Sequence, residues 1–365
     1  MPSSFQRWWD RLLGRGTAAI TVPIMDGAIK PNRALDEATV VLELPSIDDI
    51  ASDGKDLWLS AGSVLFRLDG LQALEVCRFE VPITALAADS NGLIAVALGG
   101  RELRLIDAEG ATVAQTRVLA GRALHSANAL AFESVDSLLV SDGSEHYGTD
   151  QWCHDLMQHG KSGKVGRWNW KLSTTTLLAD GLGYAFGVLA DGALVRWSES
   201  WKHTLGSVSE SQVALPANVA ELPGYPSRMA LAHGGGFWLT CFVCRTQLVE
   251  FVLREDAYRK RMIEEVHPSQ WVAPALSSGK SFLEPLQGAG VKTMGVLKPW
   301  APPRSYGLVL RVADDGRVIS SLHSQVDGQH HGITAVVEHA GDLYLVSKGS
   351  ARLLRVNLNS AGDVA

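Results

Sequence analysis

Two short segments carry side chains suited to proton transfer. His323, His330 and His331 lie in SLHSQVDGQHHGIT, and His125 and Asn128 lie in LHSANAL. Each segment runs directly into an apolar stretch that reads as a strand. Imidazole titrates near neutral pH and can act as base, acid or ligand. His330, His331 and His125 are therefore the catalytic candidates, and loops at equivalent positions of a repeated fold would bring them to one place. The alternative for each is a histidine that only caps a strand end. Arg228 and Arg304 are candidate anchors for an anionic group such as a carboxylate, which a guanidinium grips with two parallel hydrogen bonds. A surface ion pair is the alternative there.

Other motifs fail on geometry. Cys241 and Cys244 form a CxxC, but if they continue the strand begun at Phe237 the two thiols point to opposite faces. No second pair stands at zinc-ribbon spacing. His154 and His159 lack the HExxH arrangement. Gly-Lys-Ser occurs at 160–162 and 279–281, yet Asp155 and Pro274 stand where a phosphate-binding loop needs its first glycine. No GxSxG nucleophile elbow is present.

Of the 365 residues, 46% are hydrophobic and 20% charged, with a net charge of −6. That composition suits a folded globular chain and offers no basic field for nucleic acid. No run of 18 apolar residues predicts a transmembrane segment. Four scattered cysteines do not make a disulfide framework. Thirty-six glycines and eleven tryptophans point to many turns and many short strands.

The chain repeats itself. An apolar stretch, a Gly or Asp-Gly turn and a strand such as DLWLS recur in DGKDLWLSAGSVLFRLDG (53–70), NGLIAVALGGRELRLIDAEG (91–110) and VDSLLVSDG (135–143) with GKVGRWNW (163–170). They recur again in DGALVRWSES (191–200), GGGFWLTCF (234–242) and GDLYLVSKGSARLLRVNL (341–358). A sheet of such strands has two bare edges and exposed apolar faces, which radial stacking buries. Six units predict an all-β chain, a six-bladed β-propeller over residues 19–365.

Two segments depart from the repeat. In residues 1–18, Phe5, Trp8, Trp9, Leu12 and Leu13 share one face of a short basic amphipathic helix without the apolar core of a secretory signal. It suits docking on the body or on a second subunit in an oligomer, with peripheral membrane contact as the alternative. The expected compartment is cytoplasmic. In the fifth blade the expected partner strand is delayed to SYGLVLRVADDGRVISSL (305–322), leaving an insertion over 246–304. QLVEFVLREDAYRKRMIEEV (247–266) has nearly helical apolar spacing, and a Pro- and Gly-rich loop follows it. Such an insertion suits a cap on the channel mouth, or a shield for a sheet edge.

SDGSEHYGTDQWCHDLMQHGKSGKVGRWNW, LADGLGYAFGVLADGALVRW, ELPGYPSRMALAHGGGFWLT and the terminal EHAGDLYLVSKGSARLLRV resemble the strictosidine synthase-like propellers, with the motifs in the same order over roughly residues 20–358. The resemblance extends more distantly to calcium-dependent lactonases and esterases. It implies small-molecule chemistry at the channel mouth, with Tyr147 and Trp152 in a blade-three excursion that walls the pocket. Aromatic walls suit an apolar or ring-bearing ligand.

Aligning the six units places Asp48, Thr84, Asn128, Phe186, Ser227 or Arg228, and Thr334 around the axis. The calcium-dependent relatives need several oxygen ligands there. Asp48 and Asn128 keep matching places, but Ala185-Phe186-Gly187 replaces Pro-Asn-Gly and Pro226-Ser227-Arg228 replaces Pro-Asp-Asn. The expectation is no cofactor, with calcium on Asp48 and Asn128 as the lesser alternative. The amine-condensing enzyme of the family uses a glutamate where this chain has Thr334, and no carboxylate lies between Asp327 and Glu338. Strictosidine synthesis itself is not expected. The leading expectation is hydrolysis of an ester or lactone with histidine as general base. The substrate contacts expected are Asn128, Trp152, Tyr147, Phe186, Arg228, Arg304 and Thr334. A non-catalytic small-molecule-binding or interaction propeller is the first alternative, and an amine–carbonyl condensing enzyme is the second.

Overall fold

The computed structural model describes residues 22–209, 219–278 and 305–358, with backbone only at 214–215, 292–293 and 296–297. The proposed N-terminal helix and Arg304 lie outside the described residues. Among those described, six four-stranded antiparallel sheets form, each built mainly from one sequence repeat. Their inner strands are Ile47–Ser52, Ile83–Ala88, Ala127–Ser134, Ala185–Asp191, Gly224–Leu231 and Ile333–His339, in blades 1 to 6. Each inner strand packs against the next, and the sixth packs against the first. The all-β, six-bladed propeller is the observed fold.

Burial follows the radial arrangement. The second strands Leu57–Ala61 and Ile94–Leu98 are buried along their whole length, because a neighbouring blade covers each face. The outer strands Gln72–Arg78 and Thr112–Thr116 are largely exposed. The recurrent Asp at the hairpins has a local reason. Asp53 Oδ1 accepts from the backbone N–H of Lys55 and Asp56 at 2.8 and 2.6 Å, while its Oδ2 takes the Trp58 indole N–H at 2.9 Å.

All six inner strands carry a β-bulge or register shift near their start. The pairing slips between Ile47 and Asp49, Ile83 and Ala85, and Ala127 and Ala129. It slips again between Ala185 and Val188, Pro226 and Met229, and Ile333 and Ala335. The residues left out of the ladder are Asp48, Thr84, Asn128, Phe186 with Gly187, Ser227 with Arg228, and Thr334. A bulge bends its strand and re-aims a side chain. Hydroxyls on second strands take up the bulge N–H groups: Ser60 for Asp49 (3.1 Å), Ser141 for Ala129 (3.0 Å) and Ser198 for Gly187 (2.7 Å). A Cβ on Gly187 would stand 2.2 Å from the Ser227 carbonyl oxygen, so the extra residue of the wide blade 4 bulge has to be glycine.

Ring closure comes from an N-terminal segment that the repeat pattern did not assign. Thr39–Glu43 pairs with Arg352–Asn357 as the outer strand of blade 6. Just before it, the chain fastens to blade 5: Leu35 N–H donates to the His323 carbonyl at 3.0 Å, and Asn32 Nδ2 donates to the Ser321 carbonyl at 2.8 Å. Leu35 is fully buried among Val309, Leu322, Ile333 and Leu345. The insertion leaves between the second strand of blade 5, Phe237–Cys244, and the third, Gly307–Val312. Its helical stretch is broken at Glu255 into two helices, Gln247–Arg254 and Asp256–Glu265. Among the described residues, no helix is long and apolar enough to cross a membrane. Leu35→Ala opens a cavity where the N-terminal clasp meets blades 5 and 6, and the expected loss is about 2–5 kcal/mol. Urea denaturation checks it; an unchanged midpoint would mean the clasp does not hold the closure.

Candidate functional site

The bulges turn their side chains toward one end of the axis, where Asp48, Thr84, Asn128, Phe186, Arg228 and Thr334 line a single cavity. Trp152, Phe242 and Leu276 form its apolar wall, and Thr149 and Lys348 complete it. The cavity is narrow: about 20 Å³ is open to the centre of a water molecule, within about 330 Å³ of unfilled space that runs out into solvent. Trp152 comes from the blade 3 excursion, at the head of the short helix Trp152–Met157. Its ring meets Phe242 edge-on at 5.1 Å, and Phe242 lies 5.1 Å from Phe186. The insertion backs this wall, packing Val252, Met262, Trp271 and Ala273 into the same apolar cluster.

Arg228 crosses the axis from blade 5. Its Nε donates to the Asn128 carbonyl at 2.9 Å and lies 3.0 Å from Asp49 Oδ2. Its Nη1 donates to the Asp48 carbonyl at 2.9 Å, and its Nη2 donates to the Thr84 carbonyl at 2.8 Å and to Asp48 Oδ2 at 3.1 Å. The guanidinium also stands 5.3 Å from the centre of the Phe186 ring. The expected substrate-anchoring role of Arg228 therefore does not fit, because its fork is already filled by blades 1, 2 and 3. The bulge in blade 5 holds both residues left open by the sequence: Arg228 takes the axis, and Ser227 Oγ turns back to Thr240 Oγ1 at 2.7 Å.

The other polar ring residues tie each blade to the next. Thr84 Oγ1 donates to the Ala127 carbonyl at 2.8 Å, Asn128 Nδ2 to the Ala185 carbonyl at 3.1 Å, and Thr334 Oγ1 to the Asp48 carbonyl at 3.0 Å. Asp49 Oδ2 accepts from the Leu86 N–H at 2.8 Å. Asn128 and Thr334 thus border the cavity with their donor groups engaged. The sequence reading missed Lys348, which sits one residue beyond the second strand of blade 6. Its Nζ contacts Asp48 Oδ1, and its side chain keeps 39% exposure. The signal was the Ser-Lys-Gly turn that ends LYLVSKG.

Burial pushes the Asp48 carboxyl upward, but the charges of Lys348 and Arg228 outweigh it and hold the group below the usual aspartate range. Asp49 faces the other way. Burial pushes it up to about 7, helped by the Asp48 charge and opposed by Arg228. Arg228 and Asp49 also border a second, wider hollow at the far end of the axis. Arg228 thus separates the two openings.

The expected histidine cluster does not assemble in the cavity. His331 is buried beside blades 5 and 6: its Nε2 bonds the Gln325 carbonyl at 2.7 Å, so this nitrogen carries the hydrogen. Its Nδ1 then accepts from Ser305 Oγ at 2.7 Å, and Ser305 Oγ in turn meets Ser278 Oγ at 2.7 Å. His330 is 4% exposed, and its Nδ1 has no partner among the described residues. Burial lowers both rings below the ordinary histidine value. His125 is half-buried beside blade 3, where its backbone N–H approaches Asp142 Oδ1 at 3.4 Å. None of the three lines the cavity, because the inner strand begins after them and its bulge residue occupies the axis. Tyr147 is also elsewhere, stacked on His154 at 6.0 Å. Cys241 and Cys244 are free and buried, with both thiols pushed upward by burial.

No protein-family model matches the chain. It is 22% identical to adipocyte plasma membrane-associated protein of Salmo salar, over 92% of this chain and 82% of that protein. It is 23% identical to the strictosidine synthase-like 13 protein of Arabidopsis thaliana, over 56% of this chain and 46% of that one. Among solved structures it resembles a gluconolactonase from Xanthomonas campestris, with TM-score 0.57, 13% identity and coverage of 92% and 94%. It also resembles regucalcin, a calcium-binding protein from Agrobacterium tumefaciens, with TM-score 0.52, 10% identity and coverage of 87% and 92%. The chain is a six-bladed propeller whose homologues are strictosidine synthase-like proteins and adipocyte plasma membrane-associated protein.

Proposed function

We propose that the cavity at the channel mouth takes a small organic molecule, and that the chain hydrolyses an ester or lactone there. The observation that carries this is the Lys348–Asp48 pair at the edge of a cavity walled by Trp152, Phe186 and Phe242. An apolar or ring-bearing substrate suits that wall, with its carbonyl toward the charged pair. The gluconolactonase likeness supports the substrate class only through the shared fold.

The chemistry follows from what faces the cavity. Asp48 is the carboxylate there, so it replaces histidine as the group that accepts a proton from the attacking water, through the Oδ1 that is freed when the partly exposed Lys348 swings from it to the substrate. The hydroxyl oxygen adds to the carbonyl carbon, negative charge builds on the carbonyl oxygen, and the Lys348 ammonium stands ready to stabilise it. Collapse breaks the carbon–oxygen bond to the leaving alkoxide, which takes up the proton that Asp48 accepted, and the carboxylate is restored. Thr334 occupies the position where the condensing enzyme of the family has an acid/base glutamate, and its hydroxyl is engaged by Asp48. That argues against amine–carbonyl condensation. A non-catalytic binding propeller remains the second reading, favoured by the number of ring groups that serve as ties between blades.

Lys348→Met removes the ammonium without emptying the space. Its kcat/KM on a panel of lactones and aryl esters is expected to fall about 100-fold or more, with the fold kept. If the wild-type protein binds such compounds but turns none over, the binding reading takes its place. The pH profile separates the two candidate bases. The Asp48 carboxyl is depressed, so its ionised form and the activity should persist through pH 5 and fade only below the ordinary aspartate value of about 3.9. Any residual activity of Lys348→Met should lose its acid limb at higher pH, because one of the two depressing charges is gone. A midpoint near 6 that does not move in the variant would point back to a histidine.

A further inference from the structure

We infer that the Arg228 guanidinium is a built-in replacement for a divalent cation on the propeller axis. The fold neighbours include a calcium-binding protein, and Asp48 and Asn128 line the axial cavity of this chain. Those residues do not fit a metal here. A hard cation needs six to eight free oxygens, and the oxygens that converge on this axis already receive N–H groups. The carbonyls of Asp48, Thr84 and Asn128 and one oxygen of each of Asp48 and Asp49 all lie within 3.1 Å of guanidinium nitrogens. The other Asp48 oxygen holds Lys348. Asn128 turns its amide nitrogen to the Ala185 carbonyl.

Three backbone carbonyls and two buried carboxylates converging on one point from two sides form an oxygen cage. A cage of that kind repels itself unless a cation fills it, since buried oxygens of one sign are costly to leave unpaired. Arg228 supplies the cation from within the chain. Its residue is 6% exposed, and it reaches from blade 5 to blades 1, 2 and 3. A covalently attached charge cannot dissociate, so the axis should be indifferent to calcium and to chelators. The inference stands whether or not the mouth cavity is catalytic.

The test compares the wild-type protein with Arg228→Ala, each stripped with EDTA and then titrated with calcium chloride. The wild type is expected to show no calcium-binding heat and no change in Tm with calcium or EDTA. Arg228→Ala is expected to melt lower by about 10 °C, because Asp49 loses its ion partner, Asp48 keeps only Lys348, and three buried carbonyls lose their donors. Calcium should then restore at least half of that loss by entering the emptied cage. If R228A does not fold in either condition, R228Q keeps the bulk of the side chain and the same comparison is read on it. A wild type stabilised by calcium overturns the inference, as does a variant as stable as wild type without calcium. A loss of stability that calcium does not reverse also overturns it, and leaves Arg228 as a tie between blades only.

Discussion

A single buried guanidinium on the axis is the contact that the ring depends on. Arg228 starts in blade 5 and ends on the backbone of blades 1, 2 and 3, so it binds the propeller across its diameter as well as around its rim. A guanidinium suits this position because its five N–H groups spread as a rigid planar fork, which serves carbonyls of three blades at once. A lysine would bring the charge without the fork. The same side chain closes the channel between its two openings, which makes the mouth a blind cavity rather than a pore.

The bulges explain how side chains from six separate repeats meet at all. A regular strand would send alternate residues to its two faces, both covered by neighbouring blades. The extra residue breaks that alternation and frees one side chain for the axis. It also leaves backbone groups unpaired, and buried serines on the second strands meet that demand. This arrangement assigns most of the ring to architecture: Thr84, Asn128 and Thr334 each stitch one blade to the next. What remains for chemistry is a small set, Asp48 with Lys348 beside an aromatic wall. The histidines before the inner strands stay in the loops, bonded to carbonyls and hydroxyls there or buried without reaching the axis.

Two long-range connections complete the mouth and the ring. The blade 5 insertion packs against the blade 3 excursion, with Arg259 bonding the Met157 carbonyl and Trp271 set edge-on to His154 at 4.7 Å. Together they hold Trp152 over the cavity. The N-terminal segment runs over blade 5 before adding the outer strand of blade 6, so that blade joins Thr39–Glu43 to three strands from the other end of the sequence. A propeller closed in this way cannot lose its sixth blade without separating strands far apart in sequence, as Glu43 and Arg352 paired at 2.7 Å illustrate.

Local pattern alone determined the repeat, the blade count, the position of the insertion and five of the axial residues, with Ser227 or Arg228 left open for the sixth, because turn chemistry and apolar spacing are properties of a few neighbouring residues. The expectation that Asp48 and Asn128 make a poor cation site came instead from the resemblance to calcium-dependent relatives, through the oxygen donors lost at Phe186 and Arg228. Only the tertiary structure decided what those residues touch. Arg228 reads equally well as an anion anchor or as an ion pair until the carbonyls of three other blades are placed around it. Lys348 is marked only by the turn it sits in, and its pairing with Asp48 spans 300 positions. The histidines looked convergent because equivalent loops are close in a propeller, but one residue of bulge separates facing the axis from facing a neighbouring strand. The strand at Thr39–Glu43 was invisible as a blade element because its partners lie at the opposite end of the chain, where no local signal reaches.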